Sequence, residues 1–218
     1  FDKIEKLNAK ISDVFDVTGY AYQTPTDKSN PENLTYFVKN EVVSITLKDR
    51  SYKMDIYSNA QKKWCKKYKF NAQKEDTEDT ITSLQIVKNK KTYLVPGSIK
   101  IIKDTNGPTI SVVNVPKDYI NSTTNIEFNL SDDIKEGETG ASGIDKNNVS
   151  VNCNNPYASV TLSEDKNSFE YTPDSTKNFT KEVKCTIIAK DNVGNESKET
   201  ITIKNDTQAP YLKNTNNK

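Results

Sequence analysis

The run Val183-Lys184-Cys185-Thr186-Ile187-Ile188-Ala189-Lys190-Asp191-Asn192-Val193-Gly194-Asn195, continued by Glu199-Thr200-Ile201-Thr202-Ile203, decides the fold. Val183, Cys185, Ile187 and Ala189 stand two apart, with Lys184, Thr186 and Lys190 between them. A period of two gives an extended chain one apolar face and one wet face, whereas a helix would need a period near 3.6. Asp191-Asn192-Val193-Gly194-Asn195 is turn chemistry, because Asn, Asp and Gly tolerate the tight backbone that reverses a chain. Ile201 and Ile203 then resume the alternation. The reading is an antiparallel hairpin, half buried.

The same pattern extends upstream. Ile126, Phe128 and Leu130 alternate with polar residues, as do Val149, Val151 and Cys153; Val160 and Leu162; and Phe169 and Tyr171. Asn154-Asn155-Pro156 and Thr172-Pro173-Asp174 punctuate them. One short signature recurs at the flanks. Asp104-Thr105-Asn106-Gly107-Pro108 and Asp206-Thr207-Gln208-Ala209-Pro210 each follow an apolar strand end, and the two Asp stand 102 residues apart (206 minus 104). A spacing of about 100 residues is that of one small β-sandwich per repeat. Two tandem domains are therefore expected, 1–104 and 105–206, with 207–218 opening a further repeat or a linker. The short Pro-containing junction predicts an end-to-end rod.

The first interval is rougher. Phe1, Ile4, Leu7, Ile11 and Val14 fall at spacings of three and four, which predicts a short N-terminal helix and keeps an α+β first domain open. Strands follow at Leu34–Val38, Val43–Leu47 and Tyr52–Ile56. Trp64, Tyr68 and Phe70 come next among Lys62, Lys63, Lys66, Lys67 and Lys69, with Lys66 breaking the phase. They are expected in the core of a Lys-protected edge strand, with the acidic run Glu75-Asp76-Thr77-Glu78-Asp79 as counter-charge. A surface for a polyanion such as teichoic acid, an anionic glycan or a heparin-like chain is the other reading of the same residues. Leu84 and Ile86 precede Tyr93 and Val95, and Pro96-Gly97 suggests a bulge before Ile99 and Ile101.

Composition excludes several classes of function. The 218 residues contain no His, which removes Ser-His-Asp, Cys-His and HExxH chemistry. There are seven Gly and no GxGxxG or GxxxxGK cradle. Of 31 basic residues Arg50 is the one arginine, and the net charge is +1, which argues against a nucleic-acid partner. Three Cys without CxxC make neither a disulfide scaffold nor a zinc ribbon. A mean hydropathy of -0.80 and the lack of a long apolar run leave no membrane-spanning segment. The chain begins at Phe1 rather than Met and reads as a fragment or a processed chain. An enzyme is not expected.

With these residues in view, 104–210 resembles the bacterial immunoglobulin-like (Big-type) tandem repeats of large cell-surface and adhesin proteins. The strand Val183–Ala189 running into Asp191-Asn192-Val193-Gly194-Asn195, the final strand Glu199–Ile203, the Asp-Thr-x-x-Pro junction and Ala141-Ser142-Gly143-Ile144-Asp145 carry the likeness. Residues 1–104 share only length, strand pattern and junction. The resemblance implies two Ig-like antiparallel β-sandwiches in an extracellular stalk or adhesion module, partnered by neighbouring repeats of the same chain and by a glycan or protein of a host or cell surface. Two other settings stay open: a carbohydrate-binding accessory region of a secreted glycan-active enzyme, and a virion decoration or tail-fibre module.

In an Ig-like topology the loops after the second and sixth strands share one end of the sandwich. Asp104, Asp132, Asp133, Asp191 and Asn195 would then gather there as hard oxygen donors for Ca²⁺, or the acidic loop Asp132–Gly140 is simply solvated. Cys153 and Cys185 would lie on neighbouring strands of one sheet, which leaves a disulfide and two buried thiols both open, with Cys65 unpaired.

Overall fold

The computed structural model describes residues 4–27, 29–74 and 77–210. Phe1 of the expected helix, Glu75 and Asp76 of the acidic run, and 211–218 of the expected third segment lie outside the described residues. The chain divides into two compact units, Phe1–Asn106 with Asp133–Ser142, and Gly107–Asp132 with Gly143–Lys218. Among the described residues both are built almost wholly of strands; α1 (Ile11–Val14) is the one helix.

The first unit pairs β1 (Glu5–Lys6), β3 (Tyr22–Asp27), β4 (Asn30–Val38), β6 (Lys53–Ser58), β7 (Lys63–Cys65), β9 (Glu78–Lys88), β10 (Lys91–Val95) and β11 (Ser98–Lys103) in an eight-stranded sheet. Its path is β1-β10-β9-β11-β4-β3, with β6 on the far edge of β9 and β7 beyond it. Two ladders in this sheet are parallel, β1 with β10 and β11 with β4. A second sheet runs β2 (Phe15–Thr18), β5 (Val42–Leu47), β8 (Tyr68–Asn71). Between the sheets lies a core of Ile11, Phe15, Tyr36, Ile45, Ile56, Tyr68, Phe70, Ile81, Leu84, Ile99, Ile101 and their neighbours.

Three local readings meet this architecture. The expected helix is cut to its last turn. Glu5 and Lys6 pair with Tyr93 and Leu94, and the Leu7 amide donates to the Leu94 carbonyl at 2.8 Å. An isolated helix of that length is marginal in water, so a sheet edge that satisfies the same backbone groups wins. The apolar spacing still marks the inward residues: Ile11 is buried, and Leu7 and Val14 pack against the core. Trp64 is a correction: it is 48% exposed, while Cys65, Tyr68 and Phe70 are buried. The phase breaks at Lys66 because the chain leaves one sheet there, β7 pairing with β6 and β8 with β5. At Pro96-Gly97 the chain gains a residue. β10 and β11 follow one another along the same edge of β9, with Val95 opposite Leu84 and Ile99 opposite Ile81. Four steps on one strand face three on the other, which is a bulge.

Among the described residues the second unit has seven strands: β12 (Thr109–Val112), β13 (Thr124–Ser131), β14 (Ile144–Cys153), β15 (Ala158–Leu162), β16 (Ser168–Pro173), β17 (Thr180–Asp191) and β18 (Glu196–Asp206). One sheet runs β12-β13-β16-β15 and the other β14-β17-β18, all antiparallel. In chain-order letters these are A-B-E-D and C-F-G, the strand order of a constant-type immunoglobulin sandwich. The alternating residues converge in its core. Ile126, Phe128, Val149, Phe169, Tyr171, Val183, Cys185, Ile187, Ala189, Ile201 and Ile203 are buried, and Leu130, Val151, Cys153, Val160 and Leu162 pack against them. Cys153 faces Cys185 across β14 and β17, and the two form a disulfide within one sheet. Cys65 is a free, buried thiol.

Candidate functional site

The turn between β17 and β18 is built around Asp191. Its carboxylate accepts the amides of Val193 at 3.0 Å and Asn195 at 2.8 Å, and the Asn195 side-chain amide at 2.7 Å. Its backbone completes the turn: the Gly194 amide donates to the Asp191 carbonyl, and the Asp191 amide to the Asn195 carbonyl. One short acidic side chain thus replaces the ladder that ends at the Lys190–Glu196 pair. Asp191 is only 1% exposed. A carboxylate at that depth needs several donors to offset lost hydration, and these three N–H groups supply them.

Asp132, at the end of β13, accepts the Gly143 amide at 2.7 Å. The Gly143 carbonyl in turn accepts the Asn192 amide at 2.9 Å. The start of β14 is therefore tied both to the loop after β13 and to the β17–β18 turn. This brings carboxylate oxygens of Asp132 and Asp191 within 4.8 Å of one another. Each carboxylate has about four acceptor sites, so a donor-bound pair keeps lone pairs for a hard cation. Asn195 belongs to the same turn through its bond to Asp191.

In the first unit, Asp104 follows β11. It is buried and accepts the Ser142 amide at 2.7 Å, while its own amide donates to the Val38 carbonyl. Asp133 is exposed and stands outside the set of carboxylates whose geometry suits a metal. Sequence reading missed Glu138. One of its oxygens accepts the amides of Thr105 and Asn106 at 3.0 Å each, and the other accepts the Lys135 amide. This brace holds the segment after β11 and explains why Asp133–Ser142 packs with the first unit. The signal was present in the sequence as one of several acids in the 132–140 loop, with nothing to distinguish it from its neighbours.

Away from these loops, Asp79 does not act as a surface counter-charge to the Lys-rich segment. It is buried in β9 and accepts bonds from the Ser58 hydroxyl, the Tyr68 hydroxyl at 2.8 Å and the Ala60 amide at 2.9 Å. In the second unit Tyr171 fills a matching structural role. Its hydroxyl accepts from Asn155 at 2.6 Å and donates to Asn205 at 3.0 Å, and burial pushes the phenol up from its ordinary value. No helix among the described residues is long and apolar enough to cross a membrane.

No protein-family model matches the chain, and no curated protein does. Among solved structures, a protocadherin gammaB7 EC3-6 fragment matches 78% of this chain and 45% of its own length, at 14% identity and a TM-score of 0.39. A titin I-band fragment, I67-I69, matches 79% and 62%, at 6% identity and a TM-score of 0.39. The N-terminal eight Ig domains of Down Syndrome Cell Adhesion Molecule match 78% and 25%, at 11% identity and a TM-score of 0.23. The chain spans less than half the length of the protocadherin fragment. The immunoglobulin-like character of the second unit rests on its own strand order.

Proposed function

We propose that this chain is a non-catalytic structural or adhesion module displayed outside the cell, of the bacterial immunoglobulin-like repeat type. The observation that carries the reading is the second unit. Its A-B-E-D and C-F-G sheets close over a continuous apolar core, and its buried polar groups are spent on holding turns rather than on lining a reaction site. The Cys153–Cys185 disulfide supports an oxidising compartment. The partners that suit such a module are adjoining repeats and a surface glycan or protein. The test is labelling of intact producing cells with an antibody to this chain, together with thiol trapping. Expected are labelling without permeabilisation and recovery of Cys153 and Cys185 in oxidised form. Labelling only after permeabilisation, with both thiols reduced, overturns the reading.

Calcium belongs to the same proposal. Asp132 and Asp191 are the donor pair we assign to the ion, with Asn195 beside them. A bound cation would relieve repulsion between the carboxylates and stabilise the folded state by mass action. Millimolar Ca²⁺ is expected to raise the melting temperature of the second unit, and Asp132→Asn to abolish that rise. Superimposable melts in Ca²⁺ and in chelator sink the assignment.

A further inference from the structure

The first unit contains an open cleft of about 950 Å³, within the range of ligand-holding cavities. Its origin is topological. The chain crosses between the two sheets of this unit twice on the same side, from β5 to β6 through 48–52 and from β7 to β8 through Lys66 and Lys67. β7 and β8 are the terminal strands of their sheets there, and among the described residues no ladder joins them.

The lining is strongly one-signed. Lys48, Arg50, Lys53, Lys66, Lys67 and Lys69 face the cleft against a single acid, Asp16. Lys48 lies 3.9 Å from Asp16, and Lys66 is paired with Asp55 at 2.7 Å. Arg50, Lys53, Lys67 and Lys69 are exposed and form no salt bridge among the described residues. Beneath this rim, Ile45 and Met54 are buried and Leu47 and Tyr52 half buried. Four uncompensated cations around an apolar floor focus a positive potential on a concave surface.

We propose that this cleft binds an anionic glycan, a sugar chain bearing sulfate or carboxylate groups. Ammonium groups act as mobile point charges that suit such anions without the planar fork that bases and phosphodiesters draw from Arg. The floor offers apolar surface to the C–H face of a sugar ring. A single-stranded nucleic acid would want successive exposed aromatics to stack on. Here Tyr68 is buried with its hydroxyl on Asp79, and Tyr52 has the Lys88 ammonium 4.8 Å from its ring centre. The proposal names a ligand for the adhesion module and rests on that reading only for where the glycan would be met.

The probe is a heparin octasaccharide titrated calorimetrically into the full chain at low and at raised salt, with uncharged dextran and polyglutamate alongside. Expected are salt-sensitive heparin binding, no dextran binding, and polyglutamate binding at least about tenfold weaker than heparin. The triple variant Lys53→Ala, Lys67→Ala, Lys69→Ala should weaken heparin binding at least about tenfold. An equal charge change in the second unit, Lys117→Ala, Lys146→Ala, Lys184→Ala, should leave it within about twofold. Bound heparin should also shield Lys53, Lys67 and Lys69 of the unaltered protein from amine acetylation, a readout independent of variant folding. Absence of heparin binding at low salt, equal losses in the two triples, polyglutamate bound as tightly as heparin, or unshielded cleft lysines each overturn the proposal. Surface labelling of cells is read separately, so failure of the module reading and failure of the cleft are distinguishable.

Discussion

A strand of the second unit keeps one face inward along its length. In β17, Val183, Cys185, Ile187, Ala189 and Asp191 are all buried at every second position. The long strand of the first unit does not. In β9, Asp79 and Ile81 are buried, then Leu84 and Ile86, so the inward phase moves by one residue between Ile81 and Leu84. The reason is its partners. β9 carries β6 on one edge and both β10 and β11 on the other, and its register with β6 shifts between Tyr57 and Ser58. The second unit spends its residues on two plain sheets. The first spends them on branches, bulges and sheet crossings, and two of those crossings leave the basic cleft.

The largest effects should come from the two cores. Phe128→Ala in the second unit and Ile56→Ala in the first remove fully buried side chains. The expected losses are about 3–5 and about 2–5 kcal/mol respectively, each confined to its own unit. Hydrogen exchange on the full chain checks this. If either substitution lowers protection in both units equally, the comparison of two separately stabilised cores breaks.

Next comes the disulfide, which closes a 32-residue separation inside the second unit. Replacing Cys153 and Cys185 together by Ala should cost that unit about 3–4 kcal/mol through the regained entropy of its unfolded chain. Denaturant melts should show the first unit unchanged. A loss shared by both units contradicts the assignment.

Two glycines separate strain from steric conflict. Gly97, at φ +103, has no room for a side chain: an added Cβ would stand 2.1 Å from the Glu32 carbonyl oxygen. Gly194, at φ +88, has nothing within 4 Å of that position. Gly194→Ala should therefore cost about 1 kcal/mol of backbone strain, and Gly97→Ala clearly more, because the bulge must shift. Equal costs in equilibrium unfolding would show that crowding at the bulge is relaxed without penalty.

The last effect is absent at neutral pH and is read only in alkali. Burial, and then the like charge of the neighbouring Tyr20 phenolate, pushes the Tyr36 phenol up to about 12. In the unfolded chain it ionises near 10. The stability it contributes is thus fully present below pH ~10 and is lost as pH rises through about 12. Alkaline titration of the first unit should show this fall, and Tyr36→Phe should flatten it. Cys65 sharpens the point at lower pH. Burial raises its thiol, so alkylation of the folded protein should be slow and should accelerate on unfolding.

The sequence alone determined the β class of the chain, six of the seven strands described in the second unit (all but β12) and most of its core. Alternation is a local property, and an antiparallel sandwich with hairpin turns asks for little beyond it. It also placed the bulge at Pro96-Gly97, because that dipeptide cannot continue a ladder. Only the tertiary structure decided the rest. Residues Glu5 to Leu7 are strand rather than helix because β10 offers them backbone partners. Trp64 is outside and Tyr68 inside because the chain changes sheets between them. Asp79 is buried because Ser58 and Ala60 at the end of β6 and Tyr68 in β8 converge on it. Among the acids of the 132–140 loop, Glu138 became a brace and Asp133 stayed in water, although their chemistry is nearly the same. Such differences are set by which distant donors reach a carboxylate, and a residue's neighbours in the chain do not carry that information.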